Sequence, residues 1–513
     1  MHNGREHMHR ENASHASTDE SNRLEHTSIN DDPAQENAVE VAESIAESTE
    51  EADGLRPGSK LRALSKRQRA IVTVTFFSMF FGAGNLIFPP LLGAQAGNRT
   101  FIAMLGFIIS AVGLPILGVL VVAQAGGFGN LAARVSKRFS LVLGVAIILT
   151  IGPLFAIPRT ASTSFEMAFA PFTTDASKPW VQLAYSLVFF VAALIIAQHP
   201  DKLTRVLGKV MGPLLLALIV ILFVVCLFLH HPPFADPSGS YAHSQLIQGM
   251  IDGYQTMDLL AALYFGIVIS ANIREMGVTD ERDNRRETGI GGAFTGVMLV
   301  LVYAALSFIG AVSGAYQPAG PNDTGATVLT NLSDRVFGHV GTVFIGVIFV
   351  VACFNVCIGL ISTCSSYFHN HFPTVFGKRV GYTAWSILFT IVSLLIANIG
   401  LSSIIALAVP VLEALYPIAI VLVVLSLVHK PFSSHFRYVY FTTIVFTAVA
   451  SIANGLVKLV EVLHGHIDWL KTACNWLPMN ANGLGWLVPA LVGLIVGVIV
   501  SLAVPQAKSV DKQ

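Results

Sequence analysis

The stretch FFGAGNLIFPP, Phe80 to Pro90, sets two glycines, two prolines and an asparagine inside an apolar run. In hydrocarbon every backbone N–H and C=O must find a partner. Irregular backbone therefore survives at that depth only where it lines a cavity or is buried in protein. A helix broken there exposes N–H groups at the start of its second half and carbonyls at the end of its first. The former suit an anion and the latter a cation. Gly82 and Gly84 permit the break, and Asn85 offers an amide oxygen to a cation. The competing use of the same glycines is a close helix-packing face.

Two further stretches carry chemistry. DGYQTMDLLAALYFGIVIS places Gln255 and Asp258 early in a second apolar run and Gly266 in its middle. IGPLFAIPRTASTSFEMAFAP, Ile151 to Pro171, sets Arg159 and Glu166 two turns apart on one helical face. A charge inside a membrane costs at least a few kcal/mol, so it pairs or faces water and marks a pathway. Arg159 has three candidate partners: Glu166, Asp258, and Glu413 of VPVLEALYP. The functional reading is a gate ion pair or a substrate contact, and the alternative is a pair that orders the helices.

The elements that position these residues follow from composition. Of 513 residues, 53% are hydrophobic and 12% charged, against about 25% charged in soluble proteins. The chain is read as an all-α polytopic membrane protein with twelve transmembrane helices. They fall near 70–91, 101–124, 140–165, 180–198, 208–230, 250–272, 290–314, 338–367, 381–398, 402–428, 438–458 and 484–504. The interrupted segments are the first and the sixth, corresponding places in two halves of five, which points to a 5+5 inverted repeat with helices 1 and 6 broken.

The domain reading is an acidic disordered tail over 1–60, an inverted-repeat core over 61–430, helices eleven and twelve over 431–504, and a short tail over 505–513. The first 55 residues hold fourteen of the 31 acids and three of the 31 basic residues. Such a tract cannot bury a core. Its five histidines are irregularly spaced and do not argue for a metal site. One set of loops carries Lys60 to Arg69, Arg134 to Arg138, Arg274 to Arg286 and Lys378 to Arg379, whereas the opposite set carries only Arg99, Lys178, Arg335, Lys458 and Lys471. By the positive-inside rule both termini are cytoplasmic. Cys353, Cys357 and Cys364 share a helical face and read as core packing. Within the long loop Gly314 to Gly338, Ala326 to Leu332 reads either as a small surface helix serving as an outer lid or as ordinary solvated loop.

Taken together and in this order, FGAGNLIFPPLLGAQAG, GPLFAIPRTASTSFEMAFAP, GYQTMDLLAALYFGIVI and VPVLEALYP resemble the bacterial branched-chain amino acid:cation symporter family. The likeness runs from about Arg69 to the last span. It implies a multi-pass cell-membrane importer of leucine, isoleucine and valine, driven by sodium or by protons. It also implies the leucine-transporter-like architecture of the amino acid–polyamine–organocation superfamily. By a further analogy to sodium-coupled leucine transporters of that fold, the N–H groups of Ala83 and Gly84, with Asn85, meet the substrate carboxylate. The aliphatic side chain enters an apolar pocket near Leu263, Phe265 and Gly266. The carbonyls of Ser78 and Phe81 face a sodium ion, with Asn85 at a second.

In that analogy hydroxyls from the middle of the eighth span close the sodium site. Here the middle reads ACFNVCIGLISTCSSYF. Three options stay open: Asn355 with main-chain carbonyls, Ser362 with Thr363, or a proton carried by Glu413 or Asp258 in place of sodium. No organic cofactor, no metal beyond sodium and no nucleic acid is implied. An enzyme is disfavoured, because no nucleophile–base pair, metal-ligand cluster or phosphate loop is present in the sequence. The other readings are an exchanger or carrier of other apolar amino acids and a non-transporting amino acid receptor.

Overall fold

The computed structural model describes residues 63–503 apart from 199–216, 218, 321–322, 376, 430–435 and 437. The acidic tail, the C-terminal tail and the first part of the fifth span lie outside the described residues.

The first helix, α1 (Lys66–Phe80), starts from a capping box. The Ser65 hydroxyl accepts from the Gln68 amide, and the Gln68 side chain accepts from the Ser65 amide. It ends at Phe81 (φ −80°, ψ 89°). After Gly82 (φ −115°, ψ −173°) the chain resumes as α2 (Ala83–Ala96). The interruption expected from the glycines is therefore present. Pro89 and Pro90, inside α2, supply no amide hydrogens, which leaves the carbonyls of Asn85 and Leu86 without their usual helical donors.

Next, α3 (Thr100–Ile108) passes through one wide turn, Ile109–Gly113, into α4 (Leu114–Ala125), and the short α5 (Phe128–Ala133) follows. A second wide turn, Thr150–Leu154, containing Gly152 and Pro153, joins α6 (Lys137–Leu149) to α7 (Ala156–Ala168). Then come α8 (Lys178–Ala197) and α9 (Ile219–Phe228). The sixth segment is split into α10 (Gln245–Tyr254) and α11 (Asp258–Glu275). Asp280 caps α12 (Glu281–Tyr316) by accepting from the Arg282 and Asp283 amides. The Asp283 and Arg282 amides hold that exposed carboxyl below its ordinary range.

The long α13 (Gly325–His371) bends at Gly338, where φ is +64°. A two-residue antiparallel ribbon, β1 (Thr374–Val375) and β2 (Lys378–Arg379), leads to α14 (Tyr382–Ala397). The chain closes with α15 (Leu401–Leu427), α16 (Val439–Val462), α17 (Asp468–Asn475) and α18 (Leu487–Ala503).

Among the described residues, seven helical stretches are long and apolar enough to cross a membrane. Three shorter apolar helices, α9, α14 and α18, accompany them. The surface carries large apolar side chains such as Phe101, Val188, Leu301 and Val449, as a lipid-facing surface requires.

Helices cross closely where glycines face backbone. A Cβ at Gly93 of α2 would run into the Ser307 carbonyl of α12, and one at Gly310 of α12 into the Pro90 carbonyl of α2. Gly106 of α3 and Gly249 of α10 make the same reciprocal arrangement. Lipid supplies little hydrophobic drive between helices, so such backbone approach is a main source of their cohesion.

The segment Ala326 to Leu332 is helical, but it does not lie on the surface. Ala326, Leu329 and Leu332 are buried, the Ser313 hydroxyl donates to the Val328 carbonyl at 3.0 Å, and Gly325 sits directly on the Ile87 carbonyl. Seven residues with this apolar face gain more from covering α2 than from lying in water.

Candidate functional site

The two interruptions face one another. At the second, i→i−3 bonds from Gln255, Thr256 and Met257 close the end of α10. Met257 then turns the chain at φ +63°, a conformation a long L side chain rarely adopts. From there α11 starts, with Ala261 N–H donating to Met257 O at 3.0 Å. The break thus lies at Gln255–Met257. Gly266, placed by the sequence reading at the middle of this span, is inside regular helix, and a Cβ there would lie 2.7 Å from the Val119 carbonyl of α4. It is a packing glycine.

Asn85, in the first turn of α2, links the breaks. Its Nδ2 donates to Asp258 Oδ2 at 2.7 Å and to the Tyr303 hydroxyl, and its Oδ1 accepts from Gly82 N–H at 3.3 Å. The amide oxygen offered to a cation by the sequence reading is turned to the backbone of its own break. Tyr303 of α12 also donates to Asp258 Oδ2, at 3.4 Å. Asn85, Asp258 and Tyr303 are all buried.

Arg159 enters from α7, whose residues from Ile157 to Phe165 are buried. Its Nη1 donates to the Gln255 carbonyl at 2.7 Å, and its guanidinium carbon stands 5.3 Å from the centre of the Phe88 ring. A Cβ on Gly84 would lie 2.7 Å from Arg159 Nη2. The carbonyl end of α10 is a favourable partner for a cation, and the amide end of α2 is not.

The expected pairings of Arg159 with Glu166 and Glu413 are not made. Glu166 pairs with Lys178 of α8 at 3.0 Å, and Glu413 with Lys458 of α16 at 2.6 Å. Both carboxylates reach nearby lysines whose ammonium groups keep contact with solvent, which costs less than enclosing a second full charge beside Arg159. Tyr416, one turn beyond Glu413, stacks on Tyr254 with ring centroids 4.2 Å apart, bringing α15 over the end of α10.

The remaining sequence-derived residues are dispersed. Ala83 is buried, and Phe81 is half-buried with its ring stacked on Phe77. Leu263 is fully buried in the core, and Phe265 meets the Phe80 ring edge-on at 5.8 Å. The side chains of Ser78 and Asn355 lie outside those described. Thr363 is exposed on α13, its hydroxyl donating to Gly359 O at 2.8 Å, and Ser362 sits beside Tyr382 of α14. Cys353, Cys357 and Cys364 are buried, Cys364 Sγ donating to the Ile148 carbonyl at 3.7 Å.

Three participants were not singled out from sequence. A lone tyrosine in VLVYAALSF signals Tyr303 only weakly. The Gln255 carbonyl and the positive φ of Met257 have no sequence signal at all.

Residues 65–504 match the family described as branched-chain amino acid transport protein. The chain belongs to that family. Among relatives, the branched-chain amino acid transport system 2 carrier protein of Pseudomonas aeruginosa is 38% identical over 424 residues, covering 82% of this chain and 93% of the relative. The branched-chain amino acid permease BrnQ of Bacillus subtilis is 35% identical over 434 residues, covering 84% and 96%. The fold is similar to that of the nucleobase-cation-symport-1 family transporter Mhp1 in a closed conformation, with TM-score 0.53 and 14% identity over 88% of this chain and 95% of that one. Members of the branched-chain amino acid transport protein family are carriers, and this chain is an integral membrane transporter, not an enzyme.

Proposed function

We propose that the protein imports leucine, isoleucine and valine across the cell membrane by symport with a cation, sodium in the first instance. The observation that carries this reading is the meeting of the two helix interruptions at Asn85 and Asp258, with the Arg159 guanidinium set against Gly84 in the first turn of α2. The relatives are branched-chain amino acid carriers and permeases, which supports branched-chain amino acids as the cargo. Burying a branched aliphatic side chain contributes about 1.5–3 kcal/mol and separates near-isosteres poorly, so one pocket serves all three.

The same reading gives twelve spans, a 5+5 inverted repeat and cytoplasmic termini, motivated by the asymmetric placement of Lys and Arg. Sodium would sit against the carbonyls of Ser78 and Phe81, with Asn355 as the candidate partner on α13, since Thr363 is exposed there and Ser362 lies beside Tyr382 of α14. A second reading, proton coupling, is favoured by one feature. Asp258 is a carboxyl enclosed where the two interruptions meet, and buried intramembrane carboxyls recur as proton relays in transporters.

Reconstituted vesicles separate the two. Labelled leucine accumulates under an inward sodium gradient at fixed pH if sodium drives transport, and under an imposed pH gradient without sodium if protons do. Leucine binding without accumulation under either gradient would sink the transport reading in favour of a receptor.

A further inference from the structure

The largest charge imbalance in the chain lies outside the site described above. The first 55 residues hold fourteen acids and three arginines, and within them segment 36–53 carries seven acids and no Lys or Arg. Five of the seven, Glu36, Glu40, Glu43, Glu47 and Glu50, recur at alternating intervals of four and three, the spacing that gathers side chains on one helical face. Like charges at that spacing oppose a helix in isolation, and a surface of opposite sign removes the opposition. The match to the transport family begins at residue 65, so this segment lies outside the part shared with the family.

A surface of opposite sign stands at the end of the helix bundle where the tail joins it. It consists of six exposed basic residues: Lys66 and Arg67 at the start of α1, Lys137 and Arg138 at the start of α6, and Lys378 and Arg379 on β2. No acid occurs within 63–69, 133–139 or 374–380, and among the described residues none of the six forms an ion pair. The arginines between α11 and α12, by contrast, stand among Asp280, Glu281 and Asp283. Packing puts the three segments at one end. Arg69 ties the start of α1 to Glu287 in α12, and Gly289 of α12 faces Leu120 of α4, which leads through α5 into α6. Gly144 of α6 in turn faces the Tyr367 hydroxyl near the end of α13, which leads into the ribbon.

The tail has the reach to cover this face. About a dozen residues join Asp53 to Lys66, enough to span roughly 40 Å when extended, or some four helix diameters. A single exposed ion pair contributes little. Several at once, on a tethered segment with a local concentration of about millimolar, hold far better.

We propose that segment 36–53 docks on this basic face of its own chain and, by bridging α1, α6 and the ribbon after α13, slows the movement of these elements during transport. The slowing rests on the transport reading above, and the docking does not. Anionic lipid headgroups compete for the same basic residues, but the tail is covalently held beside them.

The test is carbodiimide crosslinking of the full-length protein in vesicles of neutral phosphatidylcholine or anionic phosphatidylglycerol, with the joined peptides identified by mass spectrometry. The reagent joins a carboxylate to an amine only when the two are in contact. Segment 36–53 is expected to link to Lys137 and Lys378 in both lipids. The yield falls by about threefold or more in 1 M salt, where the screening length is about 3 Å. Links between isotopically light and heavy copies would place the segment on a second molecule and overturn the docking. Links seen only in neutral lipid would give the face to headgroups, and their absence in both lipids likewise overturns the docking. For the slowing, leucine uptake by the wild type is compared with that of a full-length variant carrying Glu36→Gln, Glu40→Gln, Glu43→Gln, Glu47→Gln and Glu50→Gln together. The variant is expected to lose the links and to take up leucine severalfold faster. Equal rates with the links lost overturn the slowing alone. Vesicles that take up no leucine in either form sink the transport reading and the slowing with it, while the links still decide the docking.

Discussion

Asn85 and Asp258, 173 residues apart in the chain, meet at 2.7 Å, and each stands in the first turn of the helix that follows an interruption. One amide therefore fixes the relative position of two half-helices that would otherwise end in loose backbone. Its nitrogen serves Asp258 and Tyr303, and its oxygen holds Gly82. We expect Asn85→Ala to lower stability by about 1–3 kcal/mol, the usual cost of leaving a buried polar group without its partner, and to weaken leucine binding. Thermal unfolding in detergent with and without leucine measures both. An unchanged midpoint and affinity would make the link incidental.

Gly84 matters for its close contact with Arg159 and not for its backbone conformation. The added methyl of Gly84→Ala meets the far end of the Arg159 side chain, which can swing aside. The guanidinium then leaves the Gln255 carbonyl, and leucine affinity falls while the protein still inserts. Gly84→Leu drives Arg159 away from the start of α2 and abolishes binding. Titration of labelled leucine on the two purified variants checks the order. Wild-type affinity in Gly84→Leu would remove this locus from the substrate site.

How much of this was legible in the sequence depends on the kind of signal. The first interruption was readable, because Gly82 and Gly84 inside an apolar run are costly without a purpose and the backbone does break there. The second was read only to the span. Gly266 drew attention as the unusual residue, but the turn falls on Met257, whose side chain gives no hint of positive φ. Intramembrane charges were found because they are rare, while their partners were missed. The lysines that satisfy Glu166 and Glu413 lie on other helices, and only tertiary packing brings them close. Tyr303 was missed for the same reason: its role comes from long-range contacts that no local pattern encodes.

The glycines that let α2 and α12 approach differ in kind from those that face open space. A methyl at Gly310 meets the main chain at Pro90, which cannot swing aside, whereas nothing lies within 4 Å of a methyl at Gly359 of α13. We therefore expect Gly310→Ala to cost about 1–3 kcal/mol or more through overpacking. Gly359→Ala should be neutral or stabilising by up to about 1 kcal/mol through helix propensity. Parallel thermal unfolding of the two variants gives the comparison. Equal midpoints would mean that the α2–α12 crossing tolerates separation.

At the far end of α1, Arg69 grips Glu287 of α12 through two bonds, Nε to Oε2 at 2.8 Å and Nη2 to Oε1 at 2.7 Å. The two ends are unequally buried, with the arginine side chain 31% exposed and the glutamate 0%. Removing the arginine leaves a carboxylate enclosed without a cation, whereas removing the glutamate lets the arginine turn to water. The asymmetry predicts that Arg69→Gln destabilises more than Glu287→Gln, and that the double variant is more stable than the sum of the single losses implies. Thermal midpoints of the wild type, both single variants and the double variant complete the cycle. Additive losses would show that the pair is not coupled, and α1 would then owe its seat on α12 to apolar packing around Phe76 and to the Thr295 hydroxyl, which donates to the Thr73 carbonyl at 3.0 Å.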